Sequence, residues 1–266
     1  MDEVTGRDIT ASGEAASAVL YLFSPDGHFV GRVSVTGEQI VRHAPVLLPV
    51  EALDRCHVST WTNAGAGQLF HSPVQGSGIE ERAVSLIEGE DTFHGTPDDL
   101  FFGHARLAPV GAAGPEVITL ARKNARMRIT VRGLDRRIPE DRYYLTVEIP
   151  NDGYDFVGNP IAGTARVRRT GAFHDNGDFS TDEAFNLIHT DPAVSPAGGV
   201  TVNLYEKALG RSADRLIASV TDDDGRPISL PTGRTVNLLI DPNEGGGLSV
   251  YTEITPWDEI YQWDIW

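Results

Sequence analysis

VITLARKNARMRITVRGLDRRIPEDRYYLTVEIP, residues 117–150, is the stretch whose reading decides the fold. Its first arm sets Met127, Ile129 and Val131 against Arg126, Arg128, Thr130 and Arg132. Its second sets Leu145, Val147 and Ile149 against Tyr144, Thr146 and Glu148. Successive side chains of a strand point to opposite sides, so alternation with a period of two gives each arm one apolar face to bury. Gly133, Asp135 and Pro139 lie between the arms, and the stretch therefore predicts a β-hairpin that opens a second domain.

Toward the N-terminus the same grammar recurs. Residues 18–23 and 28–35 are apolar runs on either side of Ser24-Pro25-Asp26-Gly27, where Pro presets φ and Gly accepts the positive φ that closes a hairpin. Short apolar runs follow at 45–50 and 56–61. Asn63-Ala64-Gly65-Ala66-Gly67 lacks the third Gly, the Lys and the following helix of a phosphate-cradling loop, so a plain loop is the reading. Ile79, Ala83, Leu86 and Ile87 fall on one helical face ahead of Gly89, which predicts a short helix over 79–90. Gly111-Ala112-Ala113-Gly114-Pro115 then separates the halves.

Toward the C-terminus, strands are expected at 164–170, 200–205, 215–220 and 235–240. A turn lies at Asp222-Asp223-Asp224-Gly225, and Ser180-Thr181-Asp182-Glu183 resembles a capping box opening a helical turn. Short strands divided by turn residues, with little helix, define an all-β chain of two tandem β-sandwich domains. The expected organisation is a flexible polar leader at 1–17, a first sandwich at 18–116 and a second at 117–266.

Composition narrows the function. The 266 residues carry a formal net charge of -16, which repels nucleic acid and anionic lipid surfaces. No apolar run approaches the roughly 20 residues of a membrane helix. The one cysteine, Cys56, sits in an apolar strand and reads as a buried, inert thiol. The eight His are dispersed, and neither H-E-x-x-H nor G-x-S-x-G occurs. His174-Asp175-Asn176-Gly177-Asp178 and Asp222-Asp223-Asp224-Gly225 offer oxygen ligands but lack the terminal Glu of a calcium loop, so both read as solvated turns. No catalytic residue, cofactor site or metal site is expected.

Three of the four Trp lie in the last ten residues. Tyr261, Trp263 and Ile265 alternate with Gln262 and Asp264, so this end reads as a final strand with an aromatic side. It either packs in the second core or pairs with a neighbouring subunit by strand addition. Trp257, Tyr261, Trp263, Ile265 and Trp266 are the candidate docking residues.

Several segments, taken in order, resemble the fimbrillin-associated anchor proteins of Bacteroidales, the major and minor fimbrium anchor subunits. They are Tyr21-Leu22-Phe23 with Asp26-Gly27, Trp61-Thr62-Asn63, Asp99-Leu100-Phe101-Phe102-Gly103, Leu120-Ala121-Arg122 through Val131, Tyr154-Asp155-Phe156-Val157-Gly158, and Thr255-Pro256-Trp257. The resemblance implies two transthyretin-like sandwiches of immunoglobulin-like Greek-key type and no enzymatic activity. It also implies an outer-membrane lipoprotein at the cell surface that holds fimbrial subunits by strand exchange. The family's signal peptide and lipid-bearing Cys have no counterpart here, and the expectation is that the chain begins just after that Cys with residues 2–17 as tether. Three alternatives are a fimbrial stalk or tip adhesin subunit, a carbohydrate-binding module presenting exposed Trp rings, and a hydrolase with carboxylates converging in a pocket.

Overall fold

The computed structural model describes residues 8–49, 55–63, 65–107, 116–190, 198–210, 212–242 and 247–263. The chain folds as two compact units that interleave along the sequence. Unit 1 takes residues 1–87, 97–124 and 153–161, and unit 2 takes 88–96, 125–152 and 162–266. The division therefore differs from a single cut after residue 116, because residues 153–161 join the first unit and 88–96 the second.

In unit 1, β1 (Ser17–Phe23) and β2 (Phe29–Thr36) form the expected hairpin, with Gly27 at φ 83° in its turn. The helix α1 (Gly37–Val41) follows at once. Thr36 caps it: its side chain accepts from the Gln39 backbone while the Gln39 side chain accepts from the Thr36 backbone, a reciprocal capping box. Strands β3 (His57–Thr62), β4 (Gln68–Phe70), β5 (Arg82–Leu86), β6 (Phe101–Arg106) and β7 (Ala121–Arg122) complete the unit's own strands. One antiparallel sheet runs β2-β1-β3-β6-β7. Beside it, β4 pairs with β5, and β5 pairs with Gly153–Asp155 at the end of a later strand.

Strand β1 is apolar on both faces, and each face has its own partner. Ala18, Leu20 and Leu22 pack with Val35, Val58 and the half-buried Ile40, Val46 and Leu48. Tyr21 and Phe23 turn the other way onto Phe156, at ring centroid distances of 5.0 and 5.3 Å. Trp61 is wholly buried among Phe102 and Tyr154, and Cys56 is buried as expected. Gly153 is required where it stands, since a Cβ there would collide with the carbonyl oxygen of Val84.

Residues 79–90 form no α-helix, and only Glu90 enters a single 3-10 turn, Glu90–Thr92. The centre of the segment is β5, and Ala83, Val84 and Leu86 are buried on both its faces while Ile87 is exposed. A bulge between Arg82 and Val84 breaks the strict alternation, which is why the apolar spacing imitated a helix. The polar leader also differs from expectation from residue 8 onward. Ile9 and Ala15 are buried with Phe101 and Leu120. Arg122, its side chain only 4% exposed, bridges Glu14 and Asp99 at 2.8 Å each. Asn63, in the left-handed conformation at φ 60°, accepts from the Ala16 amide and donates to the carbonyls of Glu14 and Asp99.

Unit 2 is a sandwich-type arrangement of two sheets. Its strands are β8 (Asn124–Val131), β9 (Tyr143–Asp155), β10 (Pro160–Arg169), β11 (Gly171–Phe173), β12 (Phe179–Thr181), β13 (Phe185–Ile188), β14 (Thr201–Glu206), β15 (Arg215–Val220), β16 (Asp222–Asp223), β17 (Arg226–Pro227), β18 (Arg234–Pro242) and β19 (Leu248–Pro256). One sheet runs β11-β12-β8-β18-β19, with β8 and β18 parallel and β13 also on β8. The other places β9 between β14 and β10, with β15 outside β14. Met127, Ile129 and Val131 meet Leu145, Val147 and Ile149 in one core.

The two arms of the opening stretch are strands, but they do not pair. Strand β8 lies in one sheet and β9 in the other, and residues 132–142 carry the chain across the sandwich. Both arms bury their apolar faces against the same core from opposite sides, which a two-stranded hairpin could not allow. Ser180 and Thr181 likewise open no helix: they end β12, and their hydroxyls accept from Arg128 and from the Ile129 amide, each at 3.3 Å.

Candidate docking surface

The chain's last described strand, β19, pairs only with β18 among the described strands and so closes its sheet as an edge. It carries unusual apolar exposure for an edge: Tyr251 is 49% and Ile254 48% exposed, and Leu248 is exposed as well. The Thr252 amide turns away from β18 and donates to Asp223 Oδ2 at 2.9 Å, with the Thr252 hydroxyl on the same oxygen. In an antiparallel ladder residues two apart direct their amides the same way, so the amides of Val250 and Ile254 also face outward. Asp223, on β16, thus covers the middle of the edge, and among the described residues no strand pairs with its Ile254 end.

Beyond β19, over residues 257–263, the chain is irregular rather than a strand. Glu259 N donates to the Pro256 carbonyl at 3.0 Å, closing a turn that redirects the segment. Asn237, buried on β18, then accepts from the Tyr261 amide at 3.1 Å while its own amide group donates to Glu253 O and Thr255 Oγ1. This holds Tyr261 and Trp263 at the surface with ring centroids 4.9 Å apart, and Trp263 lies 6.5 Å from Tyr251. A cleft of about 560 Å³ runs between this segment and the 174–178 turn, lined by Tyr261, Trp263, Arg128, Asp178 and Ser180 among others.

The five candidate residues separate accordingly. Trp257 is buried: its carbonyl accepts from Thr235 Oγ1 at 2.8 Å and from Arg126 Nη1 at 3.1 Å, and the Arg126 guanidinium covers its ring. Tyr261 and Trp263 are brought together on one side. Ile265 and Trp266 lie outside the described residues. Tyr251 and Ile254 were missed by sequence reasoning, although their place in an apolar run just before the Trp-rich end was a usable signal.

Two other sequence candidates resolve into structural roles. Asp178 pairs with Arg132 Nε at 3.6 Å and accepts from Asn176 at 2.9 Å, while Asp222 accepts from the Gly225 amide and Asp223 holds β19. Among the described residues no group of three His, Cys, Asp or Glu is placed to hold a metal ion. The burial of Trp61 and Trp257 removes both as sugar platforms, and the rings of Tyr261 and Trp263 meet at 71° rather than coplanar.

An all-β chain with an edge strand and aromatic rings at its surface has the features of a structural subunit that contacts other proteins. The comparisons with known proteins make this specific. Residues 1–263 match the family model described as fimbrillin-A associated anchor proteins Mfa1 and Mfa2. The chain belongs to this family of fimbrial anchor proteins, whose role is structural and adhesive, not enzymatic.

Among curated relatives, the major fimbrium anchoring subunit FimB of Porphyromonas gingivalis strain ATCC 33277 is 23% identical over 269 residues, covering 97% of this chain and 84% of that protein. Its counterpart in strain W83 is 23% identical over 271 residues, with the same coverage of 97% and 84%. The solved structure of the fimbrial anchor protein Mfa2 from Porphyromonas gingivalis matches with a TM-score of 0.61 at 13% identity, over 92% of this chain and 90% of that one. A solved Bacteroides thetaiotaomicron VPI-5482 protein matches with a TM-score of 0.66 at 14% identity, over 91% and 90%. Both structural matches agree in fold.

Proposed function

We propose that this protein anchors a fimbrium to the outer membrane, and that a neighbouring fimbrial subunit docks on unit 2 by adding a strand to the edge of β19. The observation that carries this reading is the edge strand β19, which leaves Ile254 half exposed on one face and sets Tyr251, near the Trp263 ring, on the other. Main-chain hydrogen bonds to the edge would supply affinity and the rings would supply specificity. A lipid carried N-terminal to the described residues would hold the chain in the membrane. We infer that both units are transthyretin-like Greek-key sandwiches, as the resemblance to the family implies.

The anchor reading is preferred to the stalk reading because of the N-terminal segment. A stalk subunit must shed such a segment to open a groove, whereas here residues 9–17 are locked to unit 1 by Ile9, Ala15 and the Arg122 bridge to Glu14. Capture of purified fimbriae on immobilised protein tests the docking surface. Tyr261→Ala with Trp263→Ala is expected to reduce capture about tenfold or more, the loss of two aromatic anchors. Undiminished capture by this double variant, with an unchanged melting temperature, would reject the surface.

A further inference from the structure

Unit 2 contains a second cleft, of about 710 Å³, that the docking surface does not use. Arg126 on β8 and Arg168 and Arg169 at the end of β10 line it. In this strongly acidic chain Arg122, Arg132, Arg137, Arg142, Arg166 and Arg215 each pair with a carboxylate. Arg126, Arg168 and Arg169 form no ion pair among the described residues. Their guanidinium groups are instead fixed without being neutralised. Arg126 gives its two Nη groups to the carbonyls of Trp257 and Ala184, at 3.1 and 3.3 Å, and Arg169 Nη2 donates to Thr96 Oγ1 at 2.9 Å. The rings of Trp257, Tyr144 and Phe185 hold Arg126, Arg168 and Arg169 respectively, at 5.1, 3.9 and 4.8 Å.

Both Arg126 Nε and Arg169 Nε are buried without an acceptor, and burial lowers the pKa of Arg169 from its ordinary value. Asp214 and the Tyr144 hydroxyl hydrogen-bonded to it both feel the charge of Arg168, and neither forms an ion pair with it. Ordered cations that no carboxylate pairs with are complementary to an oxyanion, and guanidinium groups suit a carboxylate in particular. Asp182 and Glu183 stand exposed in the same cleft and bond to none of the arginines. They would repel a polyanion, yet they accept readily from hydroxyl groups. The ligand that satisfies both halves carries one carboxylate on a neutral, hydroxyl-rich body.

We propose that the cleft formed by Arg126, Arg168, Arg169, Asp182 and Glu183 binds an acidic sugar through its carboxylate, a uronic acid unit being the chemical class it fits. The test is calorimetric titration of the full chain with D-glucuronate, D-glucose and inorganic sulfate. Glucuronate is expected to bind at least about tenfold more tightly than the other two. Arg169→Gln is expected to weaken glucuronate about tenfold or more, the loss of one charge-assisted contact. Asp182→Asn with Glu183→Gln should weaken glucuronate while strengthening sulfate. Arg168→Gln provides a second variant should Arg169→Gln lower the melting temperature. Sulfate binding as tight as glucuronate would overturn the sugar assignment. The absence of binding by all three probes, or glucuronate binding unchanged in both arginine variants, would overturn the site.

Discussion

Ile254→Pro separates the strand-addition reading from any docking that uses side chains alone. The Ile254 amide faces away from β18, by the alternation that sends the Thr252 amide to Asp223. Proline is tolerated on an edge strand where the amide it removes faces outward, so the sheet keeps its own ladder. Ile254 is already 48% exposed, so losing its side chain costs about 1 kcal/mol, half of the ~1.5–3 kcal/mol for a fully buried one. The melting temperature should fall by about 2–4 °C. An added strand, by contrast, loses one hydrogen bond, worth about 0.5–1.5 kcal/mol, and meets the pyrrolidine ring at the edge. Capture of fimbriae, read by surface plasmon resonance, should fall at least about tenfold. Ile254→Lys keeps the amide but places a charge on the edge, and is expected to fall less than the proline variant. Capture unchanged in Ile254→Pro, in a protein that melts normally, would refute strand addition at this edge.

Asp223→Ala acts in the opposite direction, because it uncovers the Thr252 amide and lengthens the open edge; light scattering should register increased self-association, with about 1 kcal/mol of lost stability. Arg122→Met leaves Glu14 and Asp99 without their shared cation, and since those carboxylates remain partly exposed the expected loss is about 2–3 kcal/mol by thermal unfolding, with faster proteolysis near residues 9–17. Burial first, and then the hydrogen bond to Asp214, push the Tyr144 hydroxyl up to about 12. Its neutral form is thus favoured in the folded state, so its contribution to stability is complete below about pH 10 and lost as the pH rises toward 12, which ultraviolet titration of wild type against Tyr144→Phe will follow.

Particular residues show why some of this was legible in sequence and some was not. The hairpin of β1 and β2 is local, and Pro25-Asp26-Gly27 carries all the information that its turn needs. The alternation in β8 and β9 states which side chains are buried, but says nothing about which strand lies alongside, and so two strands facing across a core were read as neighbours. Residues 79–90 imitated a helix because a bulge displaced the period. The capping box was sought at Ser180, whose hydroxyl is engaged by Arg128, while Thr36 and Gln39 bear the same pattern and use it. At the surface, the Tyr261 and Trp263 rings lie close together although residues 257–263 form no strand, so the alternation read from the sequence is not what brings them there. The burial of Trp257 was not readable, because Arg126 and Thr235 reach it from 131 and 22 residues away. The arginine cleft was not readable either, since Thr96, Arg126, Arg169 and Phe185 come from four separate segments of the chain.

On the proposed strand addition, the edge of β19 would be open to copies of its own chain as well, and the two demands would be met by different terms. Backbone hydrogen bonding does not discriminate, since any extended chain can supply it. The net charge of -16 opposes self-association over a range set by the ionic strength. Asp223 acts at contact distance by occupying the middle of the ladder. What remains is a short opening at Ile254 whose backbone contribution is too small to hold a partner alone. On that proposal selection would fall to Tyr251, Tyr261 and Trp263, which would reward an incoming strand only when it carries complementary side chains at the matching register. A partner that lacks those side chains would find the same amides and dissociate.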